Sequence, residues 1–141
     1  MRIAVSFIVA LLLSAITVES CFAGRLLVIE SVEVRKTKDN GKAWDAAGGL
    51  PDLRVSVERT SKPAGEKHIT APRKNNLKPE FNRTAIEVDD DDELELVVLD
   101  EDVGADDEAG RVERRFTSEE LKSGKLELSF GQVVRLTLRF K

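Results

Sequence analysis

The chain has 141 residues, a formal net charge of −4, a single cysteine and a single histidine. The acidic balance argues against a nucleic-acid partner, which normally shows a basic excess. One cysteine excludes an internal disulfide framework.

Residues 1–23 read as an export signal: Met1-Arg2 is a short basic start, Ile3 to Ile16 is apolar, and Cys21-Phe22-Ala23 sets small residues before Gly24. The apolar run is shorter than the roughly 20 residues that span a bilayer. Glu19 stands where lipoprotein anchoring at Cys21 would want a small or apolar side chain. Cleavage after Ala23 would remove the only cysteine and leave residues 24–141, enough for one domain and too little for two. In an oxidising compartment such a domain is held by packing or by a metal. The expectation is a secreted or periplasmic domain without a transmembrane segment, and the compact signal fits a Gram-negative bacterium.

From there β patterns dominate. Arg25 to Arg35 is a long strand candidate with Val28, Val32 and Val34 on one side and Ile29 on the other. Leu53, Val55 and Val57 mark a second strand, and Lys67 to Thr70 and Arg83 to Val88 are weaker candidates. Leu94, Leu96 and Val98 alternate against Glu93 and Glu95, and Arg111 to Phe116 follows. Thr117-Ser118-Glu119-Glu120 fits a capping box for one helical turn, which Gly124 is placed to end. Leu126, Leu128 and Phe130, then Val134, Leu136, Leu138 and Phe140, complete eight strands. Short strands separated by turns indicate an all-β, antiparallel sandwich.

Successive antiparallel strands reverse direction, so the first, third and fifth connections share an end. These are residues 36–52, 71–82 and 100–109, and they carry Asp45 and Asp52 in one loop and Asp100, Asp102, Asp106 and Asp107 in another. Carboxylates crowded together cannot all stay ionised without a cation. The donors are oxygens alone, with His68 outside the aspartate loops, which disfavours zinc or copper. Flexible loops with several carboxylates suit calcium better than magnesium. Asp89-Asp90-Asp91-Asp92 falls at the opposite end, where it reads as a solvated turn that discourages edge pairing. Trp44 reads as a packing anchor for the long first loop.

Three segments resemble the C2 domain, the calcium-dependent membrane-binding sandwich. Trp44-Asp45-Ala46-Ala47-Gly48-Gly49-Leu50-Pro51-Asp52-Leu53-Arg54-Val55 is similar to the family's first aspartate loop, with Leu53-Arg54 where Pro-Tyr is usual. Asn75-Asn76-Leu77-Lys78-Pro79-Glu80-Phe81-Asn82 looks like the segment that buttresses its second loop, and Val97 to Gly110 resembles its third-loop aspartate run. The resemblance covers about residues 26–140. It implies Asp45, Asp52, Asp100, Asp102 and Asp107 as metal ligands, with Asp106 a further candidate, and it favours the circularly permuted topology often called type II.

The resemblance also implies that bound calcium is completed by anionic phospholipid headgroups. Leu50 and Val103 are candidate apolar tips beside the ions, and Lys62, Lys67, Arg73 and Lys74 are candidate anionic-lipid contacts. Two readings follow: an exported calcium-binding module docking on anionic membrane or a protein partner, or a calcium-independent interaction domain of the same shape whose acidic loop end is merely solvated. The sequence lacks a Gly-x-Ser-x-Gly elbow and, after signal cleavage, a nucleophilic cysteine, so an enzyme is not expected.

Overall fold

A computed structural model describes residues 24–46, 48–61 and 65–141. The expected export signal and Lys62 lie outside the described residues. The described strands are β1 (Arg25–Val34), β2 (Leu53–Arg59), β3 (Lys67–Ile69), β4 (Glu80–Val88), β5 (Glu93–Asp100), β6 (Asp107–Arg115), β7 (Lys125–Phe130) and β8 (Val133–Phe140), with one helix, α1 (Ser118–Ser123). They form two four-stranded antiparallel sheets, ordered β4-β1-β8-β7 and β3-β2-β5-β6. This order is consistent with the permuted topology.

Alternation builds the core: Leu53, Val55 and Val57 of β2, Leu94, Leu96 and Val98 of β5, and Leu136, Leu138 and Phe140 of β8 are buried together. Phe116 closes one side by meeting Phe140 edge-on, with ring centroids 5.3 Å apart. In β1 the expected facing is corrected. Leu27, Ile29, Val32 and Val34 share the core, because the pairing with β8 slips between Ile29 and Ser31. A bulge inserts one residue there, so the side-chain period changes parity halfway along the strand.

Two strands begin earlier than their apolar pattern suggests. β4 reaches back to Glu80 through Asn82, whose φ of 51° is a left-handed conformation that asparagine tolerates. β6 begins at Asp107 instead of Arg111, through Asp107-Glu108-Ala109-Gly110, which lacks large apolar residues. The small residues are needed: a Cβ on Gly110 would lie 2.9 Å from the Phe130 ring. The capping box is present in full, with Glu120 N donating to the Thr117 hydroxyl and Thr117 N to the Glu120 carboxylate, and Gly124 ends α1 at φ 76°.

The aspartate loops share an end, as alternation requires. Asn76 N donates to Pro51 O at 3.0 Å, and Glu101 N to Asp52 O at 3.0 Å, which ties the β1–β2, β3–β4 and β5–β6 connections together. The segment before β4 runs along β1, with Val32 N and Val34 N donating to Pro79 O and Leu77 O.

At the opposite end, the acidic turn is more than solvated. Asp90 and Asp91 are exposed, but Asp92 is 3% exposed and pairs with the Arg59 guanidinium, Nε to Oδ1, at 3.0 Å. Asp92 also accepts from Asp89 N at 3.0 Å, and Arg59 donates to Glu87 O and reaches Glu66. Arg59 therefore belongs to a buried ion pair. Removing one member strands a buried charge. Asp92→Ala should cost about 3 to 5 kcal/mol in urea unfolding, whereas Asp91→Ala should stay within about 0.5 kcal/mol.

Candidate metal centre

β5 ends and β6 begins on aspartates that are direct cross-strand partners, Asp100 opposite Asp107. Like charges directly opposite in an antiparallel pair are destabilising. Asp100 also faces Leu53 across β2 and takes a 2.6 Å hydrogen bond from Asp52 N, which brings the first-loop aspartate alongside. Asp52 in turn accepts from Asn75 N at 2.8 Å. Thus three strand ends converge on Asp52, Asp100 and Asp107.

Asp100 is only 2% exposed. Burial pushes its carboxyl above the ordinary Asp range; the Asp52 amide opposes that, Asp102 and Asp52 add to it by repulsion, and Lys38 relieves it. The Lys38 ammonium is itself held above its usual value, chiefly by its hydrogen bond to Asp107, with Asp102 and Asp100 acting in the same sense.

Beside this cluster a cleft of about 880 Å³ opens between the first and third loops, lined by Asp45, Asp102 and Asp107 with Lys38, Trp44 and Val103. It is roomy enough for a small headgroup as well as ions. Trp44 is buried, as a packing anchor should be, and its indole N–H donates to Arg35 O at 2.8 Å. Asp45 lies over Gly49: a Cβ there would stand 2.8 Å from Asp45 Oδ2. Gly104, at φ 142°, allows the third loop to turn where other residues would be strained.

Asp106 pairs with Arg54, which also reaches Glu101 at 3.4 Å; of the six candidate ligands Asp45, Asp102 and Asp107 line the cleft, and Asp52, Asp100 and Asp106 do not. Of the proposed tips, Val103 is fully exposed and Leu50 is 38% exposed. Of the basic candidates, Lys67 pairs with Glu58 at 2.9 Å, Arg73 is bonded through its backbone to Leu53 and stands over the Phe81 ring, and Lys74 is exposed.

Among the described residues no three His, Cys, Asp or Glu side chains converge closely enough to hold a metal ion. The donor chemistry nonetheless fits a hard cation: the groups at this end are carboxylates, one is buried in repulsive company, and the nearby counter-charge is an amine. Sequence reasoning missed that amine, Lys38, together with Arg54 and Gln132. Gln132 fastens the first loop, accepting from Asp39 N through its side chain at 2.9 Å and from Arg35 N through its backbone at 3.0 Å. No periodicity marks these residues, because each acts across a distance of tens of residues.

No helix among the described residues is long and apolar enough to cross a membrane. No curated protein sequence matches the chain significantly. Solved structures do. One described as a C2 domain is 21% identical with a TM-score of 0.55, covering 84% of this chain and 98% of that one. The tandem C2 domains of extended-synaptotagmin 2, in calcium-bound form, give 21% and 0.52, covering 84% of this chain and 45% of that one. Human GIVD cytosolic phospholipase A2, in complex with an inhibitor and terbium chloride, gives 22% and 0.60 over 84% of this chain but 17% of that one. At these identities the likeness is one of fold. The sequence profile of the C2 domain matches residues 26–130. With that match spanning most of its length, the chain belongs to the C2 domain family.

Proposed function

We propose that this chain is an exported calcium-binding C2 module that docks on anionic phospholipid. C2 domains are generally non-catalytic modules that bind calcium, phospholipid or proteins. The observation that carries the reading is the burial of Asp100 beside Asp52, where Asp102 and Asp52 repel its charge, a repulsive arrangement that a divalent cation would turn into an attractive one. Asp45, Asp52, Asp100, Asp102 and Asp107 are the residues to hold it, and Asp106 is assigned to the Arg54 pair instead. Calcium would supply positive charge that draws the first and third loops together and accepts headgroup oxygens. Leu50 and Val103 would then enter the membrane interface. Export rests on the basic start and apolar run of residues 1–23, and it would give the site the calcium-rich side of a membrane.

One contact favours a second reading. Lys38 already neutralises part of the acidic end, which suits a calcium-independent domain that recognises a protein. Titration calorimetry separates the two. At a hundredfold excess over its dissociation constant calcium should stabilise the fold by about 2.7 kcal/mol, about 10 °C in melting temperature, and Asp100→Asn with Asp102→Asn should abolish both heat and shift. No heat and no shift in the unaltered chain would leave the second reading.

Membrane docking is tested separately, by co-sedimentation with vesicles containing phosphatidylserine. Leu50→Ser with Val103→Ser should weaken calcium-dependent binding about tenfold or more, from the apolar area withheld from the interface, without altering the calcium heat.

The raised Asp100 carboxyl gives a pH dependence of definite sign. Below the ordinary Asp value of 3.8 both folded and unfolded chains hold the proton and this residue contributes nothing. Between 3.8 and the raised folded value the unfolded chain gives up the proton while the folded chain retains it, so stability falls as pH rises across that window and levels off once both are ionised. In chelator, Asp100→Asn should therefore gain in melting temperature over the unaltered chain as pH increases through that window, and the two should converge at the acid end.

A further inference from the structure

Lys38 is unusually covered for a loop lysine, its side chain only 19% exposed. The ammonium stands 5.7 Å from the centroid of the buried Trp44 ring and hydrogen-bonds Asp107, while lining the same cleft as Asp45 and Asp102. Its backbone is pinned on both sides. Lys38 N donates to Lys42 O at 2.9 Å and Lys38 O accepts from Gly41 N at 2.8 Å, which closes a tight turn, and the next amide, Asp39 N, is held by Gln132. The amine is thus delivered to the acidic cleft by a short, fixed tether, at a high effective concentration.

We propose that Lys38 is a built-in counter-ion of the acidic cleft, which a divalent cation must displace from Asp107, so that this one residue sets the calcium affinity of the site. The inference rests on the calcium reading above and deepens it. In the metal-free chain the ammonium bonds Asp107, which lies opposite Asp100 in the β5–β6 register, and its charge offsets those of Asp107, Asp102 and Asp100. In the loaded chain the same amine is a competitor. One residue therefore acts in opposite senses on the two states, stabilising the empty fold and weakening the metal. A lysine whose role is only to pack on Trp44 would not do this.

The test uses Lys38→Met, which keeps an unbranched apolar stem on Trp44, and Lys38→Arg, which keeps the charge. Lys38→Gln is the second neutral variant should the methionine fail to fold. Calcium affinity is read by calorimetry, and melting temperature is read in chelator. The neutral variants should bind calcium about tenfold more tightly yet melt lower in chelator, while Lys38→Arg stays near the unaltered chain in both. Calcium binding in the unaltered chain with unchanged or weaker affinity in the neutral variants would overturn the counter-ion role and leave the calcium reading standing. Calcium heat in the neutral variants alone would support the role in its strongest form, with the ammonium filling the site. No heat in either would overturn both.

Discussion

The acidic end of this sandwich is organised by one unfavourable placement, the burial of Asp100 among acidic neighbours, with Asp107 opposite it in register where β5 and β6 part and with Asp102 and Asp52 repelling its charge. An antiparallel pair ordinarily avoids like charges in register, because the side chains stand within a few ångströms and the sheet gives them no room to separate. Here a third carboxylate, Asp52, is brought alongside by the hydrogen bond its backbone N–H donates to Asp100. The strands that carry these residues are fixed by the apolar core beneath, from Leu53 and Val55 to Leu96 and Val98, so the charges cannot relax apart without undoing packing that stabilises the domain. The repulsion has to be met locally by positive charge.

The chain meets it with different means at its two ends. Around Arg59 and Asp92 the charges are met within the protein: the guanidinium pairs with Asp92 and Glu66 and donates to a backbone carbonyl, and the turn closes on itself. At the loop end the compensation is partial. Arg54 takes Asp106 and Glu101, and Lys38 takes Asp107, which leaves Asp45 and Asp102 along a cleft open to solvent and Asp100 buried against the Asp52 amide. A closed charge network suits a structural element; an incompletely compensated one suits an exchangeable cation.

The core pattern was legible residue by residue where strands run straight. Leu136, Leu138 and Phe140, and Leu53, Val55 and Val57, are buried as their alternation indicates, although Val134, expected with the first set, is exposed and Val133 is buried in its place; the Thr117 box named its own helix. The pattern misled where backbone geometry intervened. The bulge in β1 exchanged the roles of Val28 and Ile29, Asn82 let β4 continue through a left-handed residue, and Ala109-Gly110 formed strand without apolar bulk because Phe130 lies over them.

Alternation and the reversal of successive strands are local rules, so the eight-stranded sandwich and the shared end of its aspartate loops could be read from the chain alone. So could the kind of donor, oxygen and not sulfur or imidazole. Which carboxylate is buried, which are claimed by Arg54 and Lys38, and which face the cleft emerged with the folded arrangement. Those outcomes depend on pairs such as Lys38 with Asp107 and Arg54 with Asp106, set by strand register and loop closure across the fold, and charge compensation at that range leaves no mark in local spacing.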